Sequence, residues 1–546
     1  MLLNNRTVLL ETDHPEYETI RSRLALFADL VKSPENLHTY RITPFSLWSA
    51  AAAGVREEDI LGLLEQYGKF RVPDSVRKEI TAYYSRYGML HLERQESRLL
   101  LVSNSADFLD RLEANPSLGG MLIGRCSAET IEIKESARGL LKKELTRLGY
   151  PVIDYAGFHE GEALDIRLQT ANAKGVPFSL RSYQAEAVEV FCRTGSRHGG
   201  SGVVVLPCGA GKTVVGIGVM ARLNCATLIL TTNVASVRQW RKEILEKTGA
   251  GEDQIGEYTG VRKEVRPITI ATYQILTHRK SKEGEFPHMH LFNERDWGLI
   301  IYDEVHLLPA PIFRVTADIQ ATRRLGLTAT LVREDGCEED VYALVGPKQY
   351  ELPWRELEAK GWIAEVTTTE VRLPLSEKAR AGYEKAGPRS RYRLAAENPD
   401  KLQVVRQLLN RHKGLPTLII GQYLDQLRLI AEATGAPLIT GATDHEERER
   451  LYRCFRSGEV SLLVVSKVAN FAVDLPEAAV AIQVSGSYGS RQEEAQRLGR
   501  VLRPKAGVNR AYFYTLVSRE TNEQEFALRR QMFLVEQGYH YRIVES

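Results

Sequence analysis

The amino-acid sequence predicts a multidomain α/β protein, in which two domains with mostly parallel sheets follow a helical N-terminal domain and a small α+β domain. With 546 residues, the chain is too long for one hydrophobic core. Short apolar runs alternate with helical segments from about residue 176, and the same pattern begins again after about residue 364. Buried strands separated by helices are typical of parallel sheets.

The first part of the chain predicts two smaller domains. Residues 1–94 are expected to be helical, because FSLWSAAAAGV, REEDILGLLEQYGKF and SVRKEITAYYSRYG carry apolar residues at helical spacing. Residues 95–172 alternate the strand candidates LLLVS, AETIEI and PVIDYAGF with two helices, which indicates a small α+β domain. The N-terminal helices fit a winged-helix-like DNA binder, and they fit equally well a surface that docks a partner or covers the larger domains.

The two larger domains are expected at residues 173–365 and 366–546. The first contains the strand candidates VVVLP, ATLILTT, PITIAT and LIIYDE, and the second contains TLIIG, PLIT, SLLVVS and AVAIQVS. Residues 373–398 are rich in Arg, Lys and Tyr and predict an inserted element. Alternating Arg and Tyr in the stretch SRYR suits phosphate contact and base stacking, and suits a solvated charge run equally well.

Composition excludes several classes of protein. The formal net charge of +2 arises from 72 basic and 70 acidic residues, so it does not by itself reveal a polyanionic partner. None of the six cysteines forms a CxxC pair, so neither a zinc site nor an iron–sulfur cluster is expected. The sequence has no signal peptide and no apolar run long enough to span a bilayer, which predicts a soluble cytoplasmic protein.

The clearest chemical signal is a glycine-rich loop between a strand and a helix, Cys208-Gly209-Ala210-Gly211-Lys212-Thr213. Glycines let backbone N–H groups close around phosphate oxygens. Lys212 offers a positive charge to the β- and γ-phosphates of ATP, and Thr213 offers a hydroxyl to Mg²⁺. The strict Walker pattern fails because Leu206 stands at its first glycine, so a chance GKT in a turn is the alternative. The flanking strand and helix favour the phosphate loop.

An acidic pair follows a second apolar strand, in the sequence GLIIYDEVH. Asp303 at the end of a strand is suited to hold the shell of Mg²⁺, and Glu304 is suited to take a proton from an attacking water. Acidic pairs after strands are common in solvated turns. This pair therefore indicates a catalytic site only in combination with the glycine-rich loop upstream.

A third element is the helix candidate QRLGRVLR. Gln496, Arg500 and Arg503 recur at four- and three-residue spacing, so they share one helix face. Two cations on one face suit a phosphoryl group in transfer, which is the task of an arginine finger. A solvated basic face fits the same residues.

Taken together, PCGAGKT, DEVH, LTAT and QRLGRVLR resemble superfamily 2 helicases. The longer runs GLTATLVREDG, GPKQYELPWRELEAKGWIA and SGSYGSRQEEAQRLGRVLRPK resemble the XPB family of DNA helicases, in its bacterial form. The resemblance implies two RecA-like motor domains that use ATP and Mg²⁺, a damage-recognition-like domain at residues 95–172 and a thumb-like insertion near residues 373–398.

The resemblance also implies roles for individual residues. Catalysis is assigned to Glu304, Asp303, Lys212, Gln496, Arg500 and Arg503, and Mg²⁺ binding to Thr213 and Asp303. The ATP-binding set is Arg181, Gln184, Pro207, Cys208, Gly209, Ala210, Gly211, Lys212, Thr213 and Asp474. The DNA-binding set is Arg238, Gln239, Thr272, Tyr273, Thr440, Gly441, Ser466 and Lys467. Strand separation is assigned to Arg333, Glu334 and Asp335.

Three functions fit these observations. The first is an ATP-dependent DNA helicase of 3′-to-5′ polarity in DNA repair, which binds single-stranded and forked DNA in the cytoplasm at the bacterial nucleoid. The second is a double-stranded DNA translocase that opens the duplex only locally. The third is a nucleotide-switched scaffold that recruits a repair nuclease or another repair protein. An intact set of catalytic residues argues against the scaffold.

Overall fold

The structure, a computed structural model, describes residues 1–33, 36–171, 175, 177–192, 199–207, 209–279, 286–320, 322–329, 338–352, 354–466, 478–486, 509–536 and 541–545. Its strands form four sheets, one of three strands, one of five and two of seven. Within these ranges, no helix combines the length and the apolar character that crossing a membrane requires.

The N-terminal part combines a small sheet with four helices. Its elements are β1 (Thr7–Glu11), α1 (Tyr17–Leu24), β2 (Asp29–Lys32), β3 (Leu37–Arg41), α2 (Pro44–Ala52), α3 (Glu57–Gln66) and α4 (Asp74–Tyr84). The strands pair antiparallel in the order β1-β3-β2. Helices α2 to α4 confirm the predicted helical stretches. The sheet and α1 were not predicted, because charged and polar residues interrupt the few apolar ones of β2 (DLVK) and β3 (LHTYR).

The second part is a five-stranded sheet with two main helices. Its elements are β4 (Leu90–Gln95), β5 (Arg98–Ser103), α5 (Ala106–Glu113), β6 (Leu122–Ser127), β7 (Thr130–Ile133), α6 (Arg138–Arg147) and β8 (Val152–Asp154). The strand order is β6-β7-β5-β4-β8. Strands β4 and β5 form an antiparallel hairpin, so the expected domain boundary between residues 94 and 95 falls inside β4.

The first parallel sheet contains seven strands in the order β11-β12-β10-β13-β14-β9-β15. Its elements are α7 (Ser182–Cys192), β9 (Ser201–Val205), α8 (Lys212–Leu223), β10 (Thr227–Thr231), α9 (Val234–Lys247), β11 (Ile255–Tyr258), β12 (Ile268–Thr272), α10 (Tyr273–Leu276), β13 (Leu299–Asp303), α11 (Ala310–Asp318), β14 (Arg323–Thr328), α12 (Glu338–Asp340), β15 (Lys348–Glu351) and α13 (Trp354–Ala359). Every residue of β10 and β12 is buried, as expected for strands covered by helices on both faces.

The second parallel sheet also contains seven strands, in the order β18-β19-β17-β20-β21-β16-β22. Its elements are β16 (Glu365–Leu373), α14 (Glu377–Lys385), α15 (Pro388–Ala396), α16 (Lys401–Arg411), β17 (Thr417–Gly421), α17 (Leu424–Thr434), β18 (Leu438–Ile439), α18 (His445–Ser457), β19 (Leu462–Ser466), β20 (Val480–Gln483), β21 (Arg510–Ser518), α19 (Asn522–Glu536) and β22 (Tyr541–Glu545). The two parallel sheets confirm the predicted pair of α/β domains.

The insertion predicted after Leu373 consists of helices α14 and α15. Tyr392 on α15 is fully buried, and its hydroxyl donates a hydrogen bond to the carbonyl of Gly486 at 2.5 Å. Arg393 pairs with Glu397 and Asp425 at 2.8 and 2.7 Å. Of the two readings of SRYR, base stacking on Tyr392 is therefore contradicted, because the ring forms part of the core.

A buried polar network joins the five-stranded domain to the first parallel sheet domain. Asp154 accepts hydrogen bonds from Arg138 at 2.8 and 3.0 Å and from Lys142 at 3.0 Å. Lys142 also donates to Oε1 of Gln320 in the first parallel-sheet domain at 2.7 Å. All four side chains are nearly excluded from solvent. Removing one of these charged side chains would leave an uncompensated buried charge, so the contact between the two domains is sensitive to substitution.

A glycine sets how closely these two domains approach. Gly139 lies on α6 between the two network cations, and a Cβ atom there would lie 2.2 Å from the carbonyl oxygen of Ala317 on α11. That distance is far below a van der Waals contact with backbone, so only glycine fits between the two helices. The close approach explains a residue that otherwise weakens a helix by roughly 0.5–1 kcal/mol.

Candidate active site

The phosphate loop and the acidic pair meet at one edge of the first parallel sheet. Strands β13, β14 and β9 are neighbours and run parallel. Their carboxyl ends therefore lie side by side, at the edge where open parallel sheets bind ligands. The loop after β9 ends at Lys212, β13 ends at Asp303 and β14 ends at Thr328. The topology thus brings together three segments that are distant in sequence.

Two glycines shape the phosphate loop. Gly209 and Gly211 have φ angles of 83° and 80°, in the left-handed region that favours glycine. A Cβ atom at Gly211 would lie 2.6 Å from Nε2 of Gln184, so a side chain there would displace the glutamine. Lys212 begins α8, whose N-terminus offers backbone N–H groups and partial positive charge to an anion.

Helix α7 braces this loop. The Gln184 amide and the Tyr183 hydroxyl both donate to the carbonyl of Ala210, at 3.0 and 2.8 Å. The oxygen of the Gln184 amide accepts the backbone N–H of Arg181 at 3.0 Å. The Arg181 guanidinium lies 4.7 Å above the ring of Trp362, in the segment that links the two parallel-sheet domains. Adenine contact by Arg181 and Gln184 stays a prediction, and their observed contacts hold the loop.

Glu304 occupies an unusual backbone conformation beside the loop. Its φ and ψ angles are 53° and 54°, and this left-handed conformation costs a residue other than glycine roughly 1–3 kcal/mol. Oε1 of Glu304 lies 3.4 Å from Nζ of Lys212, and Oε2 lies 3.5 Å from Nδ1 of His306. The same Nδ1 is 2.7 Å from the hydroxyl of Thr328. The carboxylate is therefore held between the lysine of the loop and a histidine fixed by β14.

The two carboxyl groups of the pair have opposite pKa shifts. Burial and the neighbouring Glu304 raise the pKa of Asp303 to about 6, against the lowering effects of Trp240 and Lys212. Burial also acts to raise the pKa of Glu304, but Lys212 and His306 lower it on balance. Glu304 is thus ionised at neutral pH and can accept a proton.

The residues at this edge fit an ATP-bound Mg²⁺. Asp303 and Thr213 supply carboxylate and hydroxyl oxygens, the hard donors that Mg²⁺ prefers. Thr213 is the second residue of α8, directly after Lys212, so the lysine and the hydroxyl leave the same helix end. The positive φ angles of the loop glycines add a backbone cradle for phosphate.

Asp303 is fixed by two aromatic residues that sequence reasoning did not assign to this role. Nε1 of Trp240 donates to Oδ2 of Asp303 at 2.9 Å, and the Tyr273 hydroxyl donates to the Asp303 carbonyl at 2.9 Å. The spacing of Val237, Trp240 and Ile244 in the sequence predicts that they share the buried face of α9, as the structure shows. A buried tryptophan needs an acceptor for its N–H, which sequence alone cannot identify.

Three side chains of the predicted DNA-binding set are buried in the structure, and their contact with DNA stays a prediction. Thr272 and Tyr273 are only 3% and 4% exposed, and Thr272 caps α10 by accepting the backbone N–H of Ile275 at 3.3 Å. Ser466, also 3% exposed, is buried at the end of β19. The side chains turn inward because Thr272 and Ser466 end buried strands and Tyr273 begins the helix that follows Thr272.

Four other residues of the DNA-binding set lie where nucleic acid can reach them. Arg238 and Gln239 on α9 are exposed, in contrast to the neighbouring Trp240. Thr440 is half-buried and Gly441 exposed after β18. Arg448 donates to the carbonyl of Thr440 at 3.2 Å, which fixes this turn. DNA contact by these residues stays a prediction.

Several predicted site residues lie outside the described part of the chain. They are Cys208, Arg333, Glu334, Asp335, Lys467, Asp474, Gln496, Arg500 and Arg503. Pro207, Gly209, Ala210, Gly211, Lys212 and Thr213 are all described and form the loop and its helix. The first parallel-sheet domain therefore carries the observed half of the candidate site.

Three family models match the chain. The model described as "ERCC3/RAD25/XPB C-terminal helicase" matches residues 357–546. The model described as "Type III restriction enzyme, res subunit" matches residues 177–333, which include the phosphate loop and the acidic pair. The model described as "Helicase conserved C-terminal domain" matches residues 1–127.

Curated relatives match over the full length of the chain. It is 51% identical to the "DNA 3'-5' helicase XPB" of Kineococcus radiotolerans and covers 96% of that protein. It is 49% identical to the protein of the same name from Mycobacterium tuberculosis and covers 97% of it. The "General transcription and DNA repair factor IIH helicase/translocase subunit XPB" of Antonospora locustae is 35% identical, with 81% of it covered.

Among solved structures, yeast Dbp5 bound to RNA and ADP BeF3 resembles the chain with a TM-score of 0.47 and 14% identity. The alignment covers 67% of this chain and 89% of Dbp5.

Proposed function

This chain belongs to the XPB family of helicases, and we propose on that basis that it unwinds DNA with 3′-to-5′ polarity, driven by ATP hydrolysis, in DNA repair. The observation that carries the proposal is that the sequence similarity to named helicases agrees with the arrangement of the residues at the candidate active site. Relatives named as DNA 3′-5′ helicases match the whole chain at about half identity. The first parallel sheet places Lys212, Asp303 and Glu304 at one edge, as ATP hydrolysis requires.

The residues of the site divide the work of hydrolysis. The backbone of the glycine loop and Lys212 bind the β- and γ-phosphates, and Thr213 and Asp303 bind the metal shell. Mg²⁺, when bound with ATP, neutralises charge that develops on the phosphates. Glu304 accepts the proton of the attacking water. Arg500 and Arg503, supplied by the second parallel-sheet domain, stabilise the transferring phosphoryl group.

DNA is the proposed partner of the exposed face around Arg238 and Gln239. Since that face belongs to the helix whose next residue contacts Asp303, DNA and nucleotide bind to connected parts of one domain. A cytoplasmic location at the nucleoid follows from a chromosomal DNA substrate. A repair nuclease is the class of protein partner that would act on the strands once they are separated.

One pair of assays tests the proposal. ATP hydrolysis is measured without nucleic acid and with single-stranded DNA, duplex DNA and RNA, and unwinding is measured on duplexes with either a 3′ or a 5′ single-stranded tail. We expect hydrolysis to rise with DNA and only the 3′-tailed substrate to unwind. Hydrolysis indifferent to all nucleic acids would contradict a motor and favour the nucleotide-switched scaffold.

Duplex translocation is a second candidate, because relatives named as subunits of general transcription and DNA repair factor IIH are called "helicase/translocase". The triplet Arg333, Glu334 and Asp335 separates the two functions. If it splits strands, replacing all three residues with alanine abolishes fork unwinding and leaves DNA-stimulated hydrolysis within a few-fold of the parent. Unwinding that survives this change, together with triplex displacement on fully duplex DNA, would favour the translocase.

A further inference from the structure

The side chain of Trp240 connects helix α9 with the carboxylate at the end of β13. Its Nε1–H group donates to Oδ2 of Asp303 at 2.9 Å, and the indole ring is 1% exposed. The two residues before it on α9, Arg238 and Gln239, are exposed. One turn of one helix therefore presents polar side chains outward and a hydrogen-bond donor to the metal-binding carboxylate inward.

The chain makes specific room for this contact. Gly216 lies on α8, and a Cβ atom there would be 2.6 Å from Cη2 of Trp240. Glycine inside a helix weakens it by roughly 0.5–1 kcal/mol relative to alanine. The indole fills the space that this glycine leaves, so the helix beginning at Lys212 is shaped to let Trp240 reach Asp303.

A second donor holds the backbone of the same residue. The Tyr273 hydroxyl donates to the carbonyl oxygen of Asp303 at 2.9 Å, and Tyr273 is 4% exposed at the start of α10. Asp303 is thus held at its carboxylate from α9 and at its backbone from α10. Both helices come from segments that resemble nucleic-acid-contacting motifs. Two hydrogen bonds therefore connect these segments to Asp303.

We propose that Trp240 is a positioning residue that fixes the orientation of the Asp303 carboxylate for metal–nucleotide binding and transmits nucleic-acid binding at α9 to that carboxylate. The inference rests on the proposed function, since it assumes that Asp303 serves Mg²⁺–nucleotide and that α9 contacts DNA. Groups that hold metal ligands typically contribute 10–100-fold to metal affinity or activity. Because coupling between two binding sites is reciprocal, the nucleotide must also change DNA affinity through the same contact.

The test uses the full chain with Trp240→Phe, which removes the N–H donor and keeps an aromatic ring. Trp297→Phe is the matched control, because Trp297 is also buried in this domain and donates to the carbonyl of Leu291 at 2.9 Å, away from the site. The affinity for a fluorescent ADP analogue is titrated with Mg²⁺ and with EDTA. We expect Mg²⁺ to strengthen nucleotide binding in the parent and in the control, and this gain to fall about 10- to 100-fold in Trp240→Phe.

Coupling is measured in the same proteins. The affinity for single-stranded DNA is determined with and without Mg²⁺–ADP, and the ratio of the two affinities should move toward one in Trp240→Phe only. A parent without nucleic-acid-stimulated hydrolysis would overturn the proposed function. A parent that is stimulated, with a Trp240→Phe variant that keeps both the Mg²⁺ gain and the coupling ratio, would overturn the role of Trp240 alone.

A spectroscopic measurement keeps the inference testable if Trp240→Phe folds poorly. The chain has five tryptophans, so labelling with 5-fluorotryptophan gives a small set of ¹⁹F signals. Replacing the other four tryptophans with Phe, one at a time, assigns their signals, and the remaining signal belongs to Trp240. We expect this signal to shift when Mg²⁺–ADP is added and when single-stranded DNA is added alone. A signal that ignores both ligands overturns the proposal. Tyr273→Phe, which removes a single oxygen, should weaken the DNA-induced shift.

Discussion

Two lysine–glutamate pairs, one in each parallel-sheet domain, have the same chemistry and different geometry. In the first domain, Nζ of Lys212 lies 3.4 Å from Oε1 of Glu304, and the two side chains are 10% and 18% exposed. In the second, Nζ of Lys401 lies 2.7 and 2.9 Å from the two carboxylate oxygens of Glu523, and both side chains are 1% exposed.

The second pair is saturated with hydrogen bonds. Lys401 also donates to the carbonyl of Val484 at 2.9 Å, which occupies its third N–H. Glu523 also accepts the backbone N–H of Ser518 at 2.9 Å. Burial lowers the pKa of Lys401 while Glu523 opposes that shift. A short, sealed pair has no position for a ligand, whereas the longer pair at the phosphate loop can rearrange around a phosphate. Distance and closure therefore distinguish a structural ion pair from a site.

The largest effect should come from the open pair. Replacing Glu304 with Gln removes the proton acceptor and keeps the shape, so ATP turnover should fall roughly 10²- to 10⁴-fold. Nucleotide affinity should stay near that of the parent, because the loop and Lys212 are intact. Single-turnover hydrolysis and equilibrium ADP binding measure the two quantities. A variant that turns over ATP at the parental rate would remove Glu304 from its catalytic role.

The closed pair should show the reverse pattern. Lys401→Met leaves the Glu523 charge buried without its partner, which destabilises the second domain by about 3–5 kcal/mol. Scanning calorimetry measures the loss, and Lys212→Met is the control that should abolish turnover without a comparable shift in melting temperature. The double variant Lys401→Met, Glu523→Leu should recover much of the stability. Equal melting shifts in the two lysine variants would erase the distinction between the pairs.

A smaller effect should separate a helix cap from a DNA contact. Thr272→Val keeps the volume and removes the hydroxyl that accepts the Ile275 N–H. The loss of such a cap costs about 0.5–2 kcal/mol. Calorimetry should record that loss, while the affinity for single-stranded DNA at constant salt stays unchanged. A clear drop in DNA affinity without a change in melting would restore the predicted contact.

The smallest effect concerns Arg238, on the exposed face of α9. If its guanidinium contacts one phosphate, Arg238→Ala should reduce the slope of log affinity against log salt by about 0.7 for single-stranded DNA. Fluorescence anisotropy across a salt series measures the slope. Arg167→Ala is the control, because Arg167 is also largely exposed and pairs locally, with Asp165. An unchanged slope in Arg238→Ala would place the DNA elsewhere.

Sequence reasoning predicted the parts of the fold and site that depend on local patterns. The loop from Gly209 to Thr213 is recognisable because backbone cradles require glycine at fixed positions. Buried parallel strands are recognisable because both faces must be apolar. Strands β2 and β3 were not predicted, because charged and polar residues interrupt their few apolar ones.

The remaining parts depend on contacts between distant segments. Trp240 and Asp303 are 63 residues apart in sequence, and nothing in either local pattern names the other as its partner. The local pattern is misleading at Tyr392. Its neighbouring arginines indicate an exposed surface, but its ring is buried. Lys401 also gave no signal, since a lone lysine at the start of a helix is usually solvated.

Gly139 has a consequence for how mutations accumulate in this chain. Because its hydrogen atom faces the Ala317 carbonyl, any substitution at position 139 acts on two domains at once. In a saturation library, position 140 should accept many replacements, because Leu140 is exposed. Position 139 should accept none of them. The two facing helix surfaces must therefore fit each other, and a transplanted five-stranded domain would need a partner helix that approaches Gly139 in the same way.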